Sequence, residues 1–317
     1  MTGDKAPRTP GTRPAGQSQL APYVLVTAAR DEIASIERTI KSVVAQTHRP
    51  MKWVIVSDGS TDGTDQLVQE YCRTCDWMEL VRMPERSERN FAGKAEAFNA
   101  GYGRVKDIPY HIMGNLDADL SFDEDFFSFL VAKFAENPRL GVAGAPFQEG
   151  ESTYDYRFTS IEHVSGACQL FRRECFEEIG GYEPIKSGGI DLIAVVTARM
   201  RGWQTRTFTE KRYLHHRKMG TAKDPLLKAR FKVGQKDYLL GSHPVWVVFR
   251  SLYQMSGKPI VIGGAALFLG YFTSMIERKK RPVRADFVSF RRQEQMQRLG
   301  SFFRTLFSRG RSPRPSG

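Results

Sequence analysis

Apolar residues fall along the first 120 positions in a repeating two-part pattern. Tyr23-Val-Leu-Val-Thr27 is a short β-rich run, and after it Ile33, Ile36, Ile40, Val43 and Val44 recur at helical spacing. Trp53-Val-Ile-Val-Ser57 repeats the strand signal, and the turn-rich Asp58-Gly-Ser-Thr-Asp-Gly-Thr64 leads into a helical stretch with Leu67, Val68 and Tyr71. A third strand is expected near Met78 to Arg82, followed by a helix around Lys94 to Tyr102, and a fourth from Tyr110 to Gly114. Near-continuous apolar strands alternating with helices predict a parallel sheet covered on both faces. Beyond residue 120 the periodicity is mixed. Phe126 to Phe134 reads as helix, Leu140 to Phe147 as strand, and Gly166 to Phe171 opens another strand-helix step, which together form a second half of the same domain.

In such sheets ligands sit beyond the carboxyl ends of the strands. The polar residues follow the strands accordingly, with Thr27 to Glu32 after the first, Asp58 to Thr64 after the second, and Asp117-Ala-Asp119 after the fourth. Two carboxylates two positions apart at a strand end can reach one point, and oxygen ligands of that kind suit Mg2+ or Mn2+ bridging to a diphosphate. Two aspartates in a loop are also common solvated turn formers, and the Asp58–Thr64 segment could be a helix-capping turn around Asp62 or Thr64. Asp58 stands apart, because a carboxylate at the end of a strand beside glycine suits hydrogen bonding to a base or ribose.

Four segments in order resemble the successive signatures of family 2 glycosyltransferases: Tyr23 to Glu32, Val56 to Thr64, Gly93-Lys-Ala-Glu-Ala-Phe-Asn-Ala-Gly101 and Asn115-Leu-Asp-Ala-Asp119. The resemblance runs from about residue 22 to about 218. It implies an α/β fold of GT-A type, a mixed and largely parallel sheet flanked by helices, with inverting transfer from a nucleoside diphosphate sugar and a divalent cation, Mg2+ or Mn2+. Carried over by position, Ala28, Arg30 and Glu32 would line the base pocket, Asp58 would face the base or ribose, and Lys94 would sit by the nucleotide. Asp117 would lie near the ribose or donor and share the metal with Asp119.

Further on, Gly180-Gly-Tyr-Glu-Pro184 and Ser187-Gly-Gly-Ile-Asp-Leu192 resemble the family imperfectly: its usual Glu-Asp pair is replaced by Gly188-Gly189, leaving Asp191. Inverting transfer needs a carboxylate to take the proton of the acceptor hydroxyl, which makes Asp191 the candidate base and Glu183 a substitute. An aspartate in a first helical turn is also favoured by the dipole alone. Phe208 to Leu214 reads as a strand delivering His215-His216-Arg217-Lys218. By family resemblance His215 would approach the metal, with His216 as the alternative, while Arg217 and Lys218 would neutralise the departing phosphate. The Gln-x-x-Arg-Trp signature of polymerising members is not evident, which favours transfer of single residues.

Pro259 to Ile276 contains 18 residues without a charge. It is expected to span the bilayer, lie in its interface or form a buried helix. Met296, Leu299, Phe303 and Leu306, beside Arg298 and Arg304, form the stripe of a basic amphipathic helix. These features predict a C-terminal membrane-associated helical extension on the cytoplasmic face of the cell membrane, held by anionic lipid. The expected organisation is a disordered segment 1–21, a catalytic domain 22–242 divided into nucleotide-binding (22–120) and acceptor (121–242) halves, and a C-terminal extension 243–317.

Composition and charge narrow the function. The chain of 317 residues is 41% hydrophobic and 26% charged, which excludes a mainly disordered protein. Of the net charge of +12, +9 falls in residues 277–317, so the body is nearly neutral and no specific nucleic-acid partner is expected. Cys72 and Cys75 form a lone C-x-x-C, with Cys168 and Cys175 far away, so all four are expected to be reduced structural thiols of a cytosolic protein. No apolar run suggests a signal peptide in residues 1–20. The expected partners are a nucleoside diphosphate sugar, with UDP or GDP as the nucleotide, and a lipid-linked or polysaccharide acceptor. A catalytically inactive sugar-nucleotide-binding scaffold is the alternative, while a nucleotidyltransferase is disfavoured by the lack of a Gly-rich phosphate loop after the first strand.

Overall fold

A computed structural model of the chain describes residues 20–86, 91–150, 153, 159–217, 226–255 and 261–309. The first half contains β1 (Tyr23–Ala29), α1 (Ile36–Val44), β2 (Lys52–Asp58), α2 (Thr64–Thr74), β3 (Met78–Met83), α3 (Phe91–Val105) and β4 (Ile112–Leu116). The second half adds β5 (Leu120–Ser121), α4 (Phe126–Glu136), β6 (Leu140–Gly144), β7 (Phe147–Gln148), β8 (Cys168–Arg172), α5 (Arg173–Glu178), α6 (Ile190–Met200), β9 (Gln204–Thr207) and β10 (Tyr213–His215). Seven strands form one sheet in the order β3-β2-β1-β4-β8-β6-β9. β3, β2, β1 and β4 are mutually parallel, whereas β8 runs antiparallel to both β4 and β6. A small second sheet has the order β5-β10-β7.

Strand alternation divides the core between the two faces of the large sheet. Tyr23 and Leu25 of β1 and Trp53 and Ile55 of β2 pack with Ile36, Ile40, Val68 and Phe127 on one side. Val24, Val26, Val54 and Val56 point the other way and pack with Phe98, Phe176, Ile193 and Val196. Gly101 permits the close seating of α3, since a Cβ there would lie 2.5 Å from Val26 Cγ1.

Several expected boundaries move. The fourth strand begins at Ile112 rather than Tyr110 and ends at Leu116, directly before Asp117. The continuous strand expected from Phe208 to Leu214 is absent. Instead, β9 ends at Thr207 and β10 starts at Tyr213, because Glu210-Lys211-Arg212 interrupts the run and Lys211 pairs with Asp125 at 2.6 Å. The expected strand from Leu140 to Phe147 is likewise split between the two sheets.

Four helices follow: α7 (Leu226–Leu239), α8 (Pro244–Gln254), α9 (Ile262–Ile276) and α10 (Ala285–Arg309). Packing groups α7 with α8 and α9 around Tyr238, Val247, Leu267 and Tyr271. The α7 and α9 backbones touch through glycine, because a Cβ on Gly234 would stand 2.0 Å from the Leu267 carbonyl oxygen, and one on Gly270 would stand 2.0 Å from that of Phe231. No helix among the described residues is long and apolar enough to cross a membrane. α9 has 15 residues, about 22 Å of helix against a hydrocarbon core of about 30 Å.

The tail helix docks on the protein. Phe287, Val288 and Leu299 of α10 are buried, a contribution of roughly 1.5–3 kcal/mol for each fully buried side chain. Arg199 of α6 holds Glu294 through two hydrogen bonds of 2.6 and 2.9 Å. Leu299, expected on a lipid-facing stripe, therefore points into the protein, while Met296 and Phe303 are exposed. The side chain of Leu306 lies outside the described residues.

Candidate functional site

The carboxyl ends of β1, β2 and β4 converge. The turn after β2 is pinned to the turn after β1, where the Asp62 carboxylate accepts from the backbone N–H groups of Ile33 and Thr64, both at 3.0 Å, and Thr64 Oγ1 accepts from the Glu32 N–H at 2.9 Å. Gly59 is required at its position, since it has φ +69° and a Cβ there would lie 2.7 Å from Glu85 Cα. This lock gives Asp62 and Thr64 structural work and leaves Arg30, Glu32 and Asp58 to face the cleft.

Ala28 is half-buried near the end of β1, paired with Val56, and Ala29 after it is buried. Beyond it, the buried Asp58 carboxylate accepts from Arg86 Nε at 2.9 Å, with Arg30 Nη1 3.9 Å away. Arg30 in turn donates to the Arg86 carbonyl at 2.7 Å. The hydrogen bond to Asp58 raises the Arg86 pKa above its usual value, so this guanidinium is a fixed cation. Gly93 at the start of α3 keeps the approach to Asp58 open, because a Cβ there would stand 3.2 Å from the carboxylate.

A second group gathers after β4. Asp117 is fixed by its backbone N–H donating to the Ala167 carbonyl at 2.8 Å, and its carboxylate accepts from Lys94 Nζ at 2.5 Å. Burial pushes the Asp117 carboxyl above the usual range, Lys94 pulls it back, and Asp119 raises it again. For Lys94, burial works against the charge, but Asp117, Asp191 and Asp119 outweigh it and hold the amine above the ordinary lysine value. Asp119 is only 3% exposed. His215 at the end of β10 puts Nε2 3.5 Å from Asp119 Oδ1 and Nδ1 3.2 Å from Glu149. Arg217 bridges the motifs, with Nη2 2.6 Å from Glu32 and Nε 3.3 Å from Asp119 Oδ2. His216 turns aside to Ser121 Oγ at 2.9 Å. Lys218 lies outside the described residues.

Asp191 occupies the first turn of α6 against Gly166, where a Cβ would come within 2.6 Å of its Oδ2. Glu183 is exposed in the preceding loop. Gly188 and Gly189 have φ of +80° and +90°, a conformation that side chains rarely adopt, so the glycine pair follows from the turn that launches α6.

Among the described residues no group of three or more His, Cys, Asp or Glu side chains is arranged to hold a metal. The chemistry present still fits Mg2+ or Mn2+ bound partly by its ligand: Asp119 offers carboxylate oxygen, His215 a ring nitrogen beside it, and Asp117 a second carboxylate on the same loop. Such ions take one or two carboxylates plus phosphate oxygens. Arg86 and Glu149 carry no sequence signal of their own, because both reach the site only through tertiary folding.

Residues 24–165 match the family described as glycosyl transferase family 2. The poly-beta-1,6-N-acetyl-D-glucosamine synthase of Staphylococcus epidermidis is 25% identical over 176 residues, covering 49% of this chain and 40% of the relative. The match thus spans well under two thirds of that protein. Among solved structures, the mannosyltransferase PcManGT from Pyrobaculum calidifontis, in complex with GDP-Man and Mn2+, aligns with a TM-score of 0.54 and 17% identity over 92% of this chain and 84% of its own. S. aureus TarS 1–349 in complex with UDP aligns with a TM-score of 0.52 and 13% identity over 81% of this chain and 92% of its own. These likenesses show the shared fold.

Proposed function

We propose that this chain, whose residues 24–165 match glycosyl transferase family 2, transfers a sugar, with inversion, from a UDP- or GDP-sugar to a hydroxyl of a lipid-linked or polysaccharide acceptor. The observation that carries this reading is the convergence of Asp58, Lys94, Asp117, Asp119, His215 and Arg217 beyond the ends of β1, β2 and β4, with Asp191 near enough to act on Lys94 electrostatically.

In this mechanism Asp58 and Arg30 face the base and ribose, while Lys94 and Asp117 flank the sugar-nucleotide. Asp119 and His215, with Asp117, would hold Mg2+ or Mn2+, which when bound polarises the diphosphate. The Asp191 carboxylate takes the acceptor hydroxyl proton as that oxygen bonds to the anomeric carbon, and the bond from that carbon to the diphosphate breaks on the opposite face. Arg217 leaves Glu32 and Asp119 to pair with the diphosphate, whose charge grows as it departs.

Attachment to the cytoplasmic membrane face belongs to the same proposal. α8 leaves Val245, Val248 and Leu252 exposed, α9 leaves Ile262, Leu269 and Ile276 exposed, and Arg278 to Arg281 follow directly. Liposome flotation should depend on anionic lipid and be lost on substituting these apolar residues with serine. Flotation unchanged by the substitutions would refute it.

Calorimetric titration of UDP and GDP with and without Mn2+ tests the donor site. Metal-dependent binding of one nucleotide, lost in Asp119→Ala, is expected. Folded protein that binds neither nucleotide would overturn the reading. Tight donor binding with no transfer to any acceptor would favour an inactive sugar-nucleotide-binding scaffold, the reading suggested by Gly188-Gly189.

A further inference from the structure

A cavity of about 770 Å3 lies where α6 meets α7, α8 and α10, outside the cleft described above. One part of its wall is aromatic, with Trp246, Phe249 and Tyr253 from a single stripe of α8 and Phe302 from α10. Another part is cationic, with Arg199, Arg250, Arg291, Arg298 and Lys236. Three carboxylates also line it. Glu294 pairs with Arg199 at 2.6 Å, Asp237 with Arg250 at 2.6 Å and Arg291 at 3.6 Å, and Glu162 with Arg298 at 2.9 Å. Five cations against three carboxylates leave a surplus positive charge, and burial holds the lining His163 below its usual pKa, hence uncharged at neutral pH.

The cavity reaches the neighbourhood of Asp191. Leu192, the next residue, lines it, and so does His163, which experiences the Asp191 charge. Lys236 and Leu240 of its wall come so near the start of α6 that a Cβ on Gly189 would meet Leu240 at 2.6 Å and Lys236 Cε at 3.2 Å. Asp191 also acts on Lys94 in the donor cleft. Asp191 thus adjoins the cavity wall through Leu192 and lies within electrostatic reach of Lys94, a position between the two spaces that suits a base whose donor lies in one and whose acceptor lies in the other.

We propose that this cavity binds the acceptor, and that the acceptor bears a phosphate next to an apolar or sugar-ring surface. The inference rests on the glycosyltransferase reading given above. Arginine forks match phosphate oxygens in pairs, and guanidinium groups can keep a carboxylate partner while donating elsewhere. Partly exposed aromatic rings supply a flat apolar surface for a sugar face or an alkyl chain. The neighbouring face of α8, about 100° round the helix, exposes Val245, Val248 and Leu252, so the helix that forms the aromatic wall also carries an apolar outer stripe, as an acceptor drawn from a lipid surface requires.

The test is calorimetric binding to the full chain of dodecyl phosphate, glucose 1-phosphate and the uncharged control dodecyl maltoside, on wild type, Arg298→Gln and Trp246→Ala. Binding of UDP and of GDP with Mn2+ is measured on each sample, and the nucleotide that binds wild type shows that the variants are folded. At least one phosphate probe should bind, Arg298→Gln should weaken it about tenfold or more, and nucleotide binding should stay unchanged. Tighter binding of dodecyl phosphate than glucose 1-phosphate identifies a lipid-borne acceptor, and the reverse a soluble one. The proposal is overturned if neither phosphate binds, if dodecyl maltoside binds as well as dodecyl phosphate, if the variants bind like wild type, or if the probes compete with the nucleotide. Failure of the wild type to bind either UDP or GDP would instead strike the donor-site reading.

Discussion

Arg217→Ala should tighten Mn2+ binding in the absence of nucleotide and weaken binding of the metal–nucleotide pair. The opposite signs follow from where the guanidinium rests. Arg217 Nε lies 3.3 Å from Asp119 Oδ2 and Nη2 lies 2.6 Å from Glu32, so the free protein already has a cation on the carboxylate assigned to the metal. At an effective dielectric of about 20, charges that close attract by roughly 5 kcal/mol before desolvation. Arg217 is 50% exposed, so screening and lost side-chain freedom reduce the net value to about 1 kcal/mol. Removing that competitor should raise Mn2+ affinity about fivefold. With nucleotide present, Arg217 becomes a phosphate ligand, and its loss should weaken UDP or GDP binding about tenfold or more. Free Mn2+ can be counted by its electron paramagnetic resonance signal and nucleotide binding by calorimetry. Unchanged or weaker Mn2+ binding, together with unchanged nucleotide affinity, would refute the picture of Arg217 as a side chain that exchanges partners.

Four further substitutions test other joints of the structure. Gly166→Ala places a Cβ 2.6 Å from the Asp191 carboxylate, and a displacement of about 1 Å should lower the transfer rate about a hundredfold while donor binding is kept; transfer within twofold of wild type would remove Asp191 from the base role. Gly270→Ala drives a Cβ to 2.0 Å from the Phe231 carbonyl and should cost about 2 kcal/mol or more, whereas Gly300→Ala, in open space on α10, should stabilise by about 0.5–1 kcal/mol; thermal unfolding of the pair should move in opposite directions. Asp62→Ala removes the acceptor for the Ile33 and Thr64 N–H groups and should cost about 1 kcal/mol near neutral pH. Burial opposes the Asp62 charge, but the Thr64 hydroxyl, which donates to it at 2.6 Å, and those two N–H groups hold its pKa below the ordinary value, so its stabilisation is full above the unfolded pKa of about 3.9 and fades as pH falls through the depressed folded value. Wild type and variant should therefore converge in melting temperature on acidification, and a constant difference down to pH 2 would contradict this assignment.

The central parallel strands β1 and β2 were legible because burial on both faces forces near-continuous apolar runs, as in Tyr23-Val-Leu-Val and Trp53-Val-Ile-Val. β9 was not, because Gln204-Thr-Arg-Thr207 has no apolar residue. Its inward positions are Thr205 and Thr207, whose hydroxyls donate to the carbonyls of Glu162 and His163 at 2.7 and 2.6 Å. A strand that buries threonines by hydrogen bonding leaves no hydrophobic period to read. The apolar run in 259–276 admits more than one reading for the converse reason. Within α9, Gly270 is a contact point for α7 and Gly264 for α8, while Ile262, Leu269 and Ile276 stay exposed, so one segment of low charge serves close helix packing on one face and leaves an apolar face on the other. In the site, Asp58, Asp117 and Asp119 could be read because each lies at or just beyond the carboxyl end of a strand, whereas Arg86 and Glu149 lie outside the strand-end motifs and reach the site only through the folded chain.

The start of α6 joins these strands of argument. A Glu-Asp pair at positions 188 and 189 would need two side-chain-bearing residues at φ of +80° and +90°, and a Cβ at 189 would strike Leu240 at 2.6 Å. The glycines remove both obstacles and let α7 close onto the first turn of α6, bringing Lys236 beside the residue that precedes Asp191 by two. The departure from the family pattern is therefore coupled to the C-terminal helices. It gives up acidic side chains at the turn and seats position 189, two residues before Asp191, against Lys236 and Leu240 of a cationic, aromatic cavity that the sheet domain alone would not possess. Restoring an acidic residue at position 189 should then open the α6–α7 contact and weaken phosphate binding in the cavity rather than raise transfer. A Gly189→Asp variant with faster transfer and intact phosphate binding would refute that coupling.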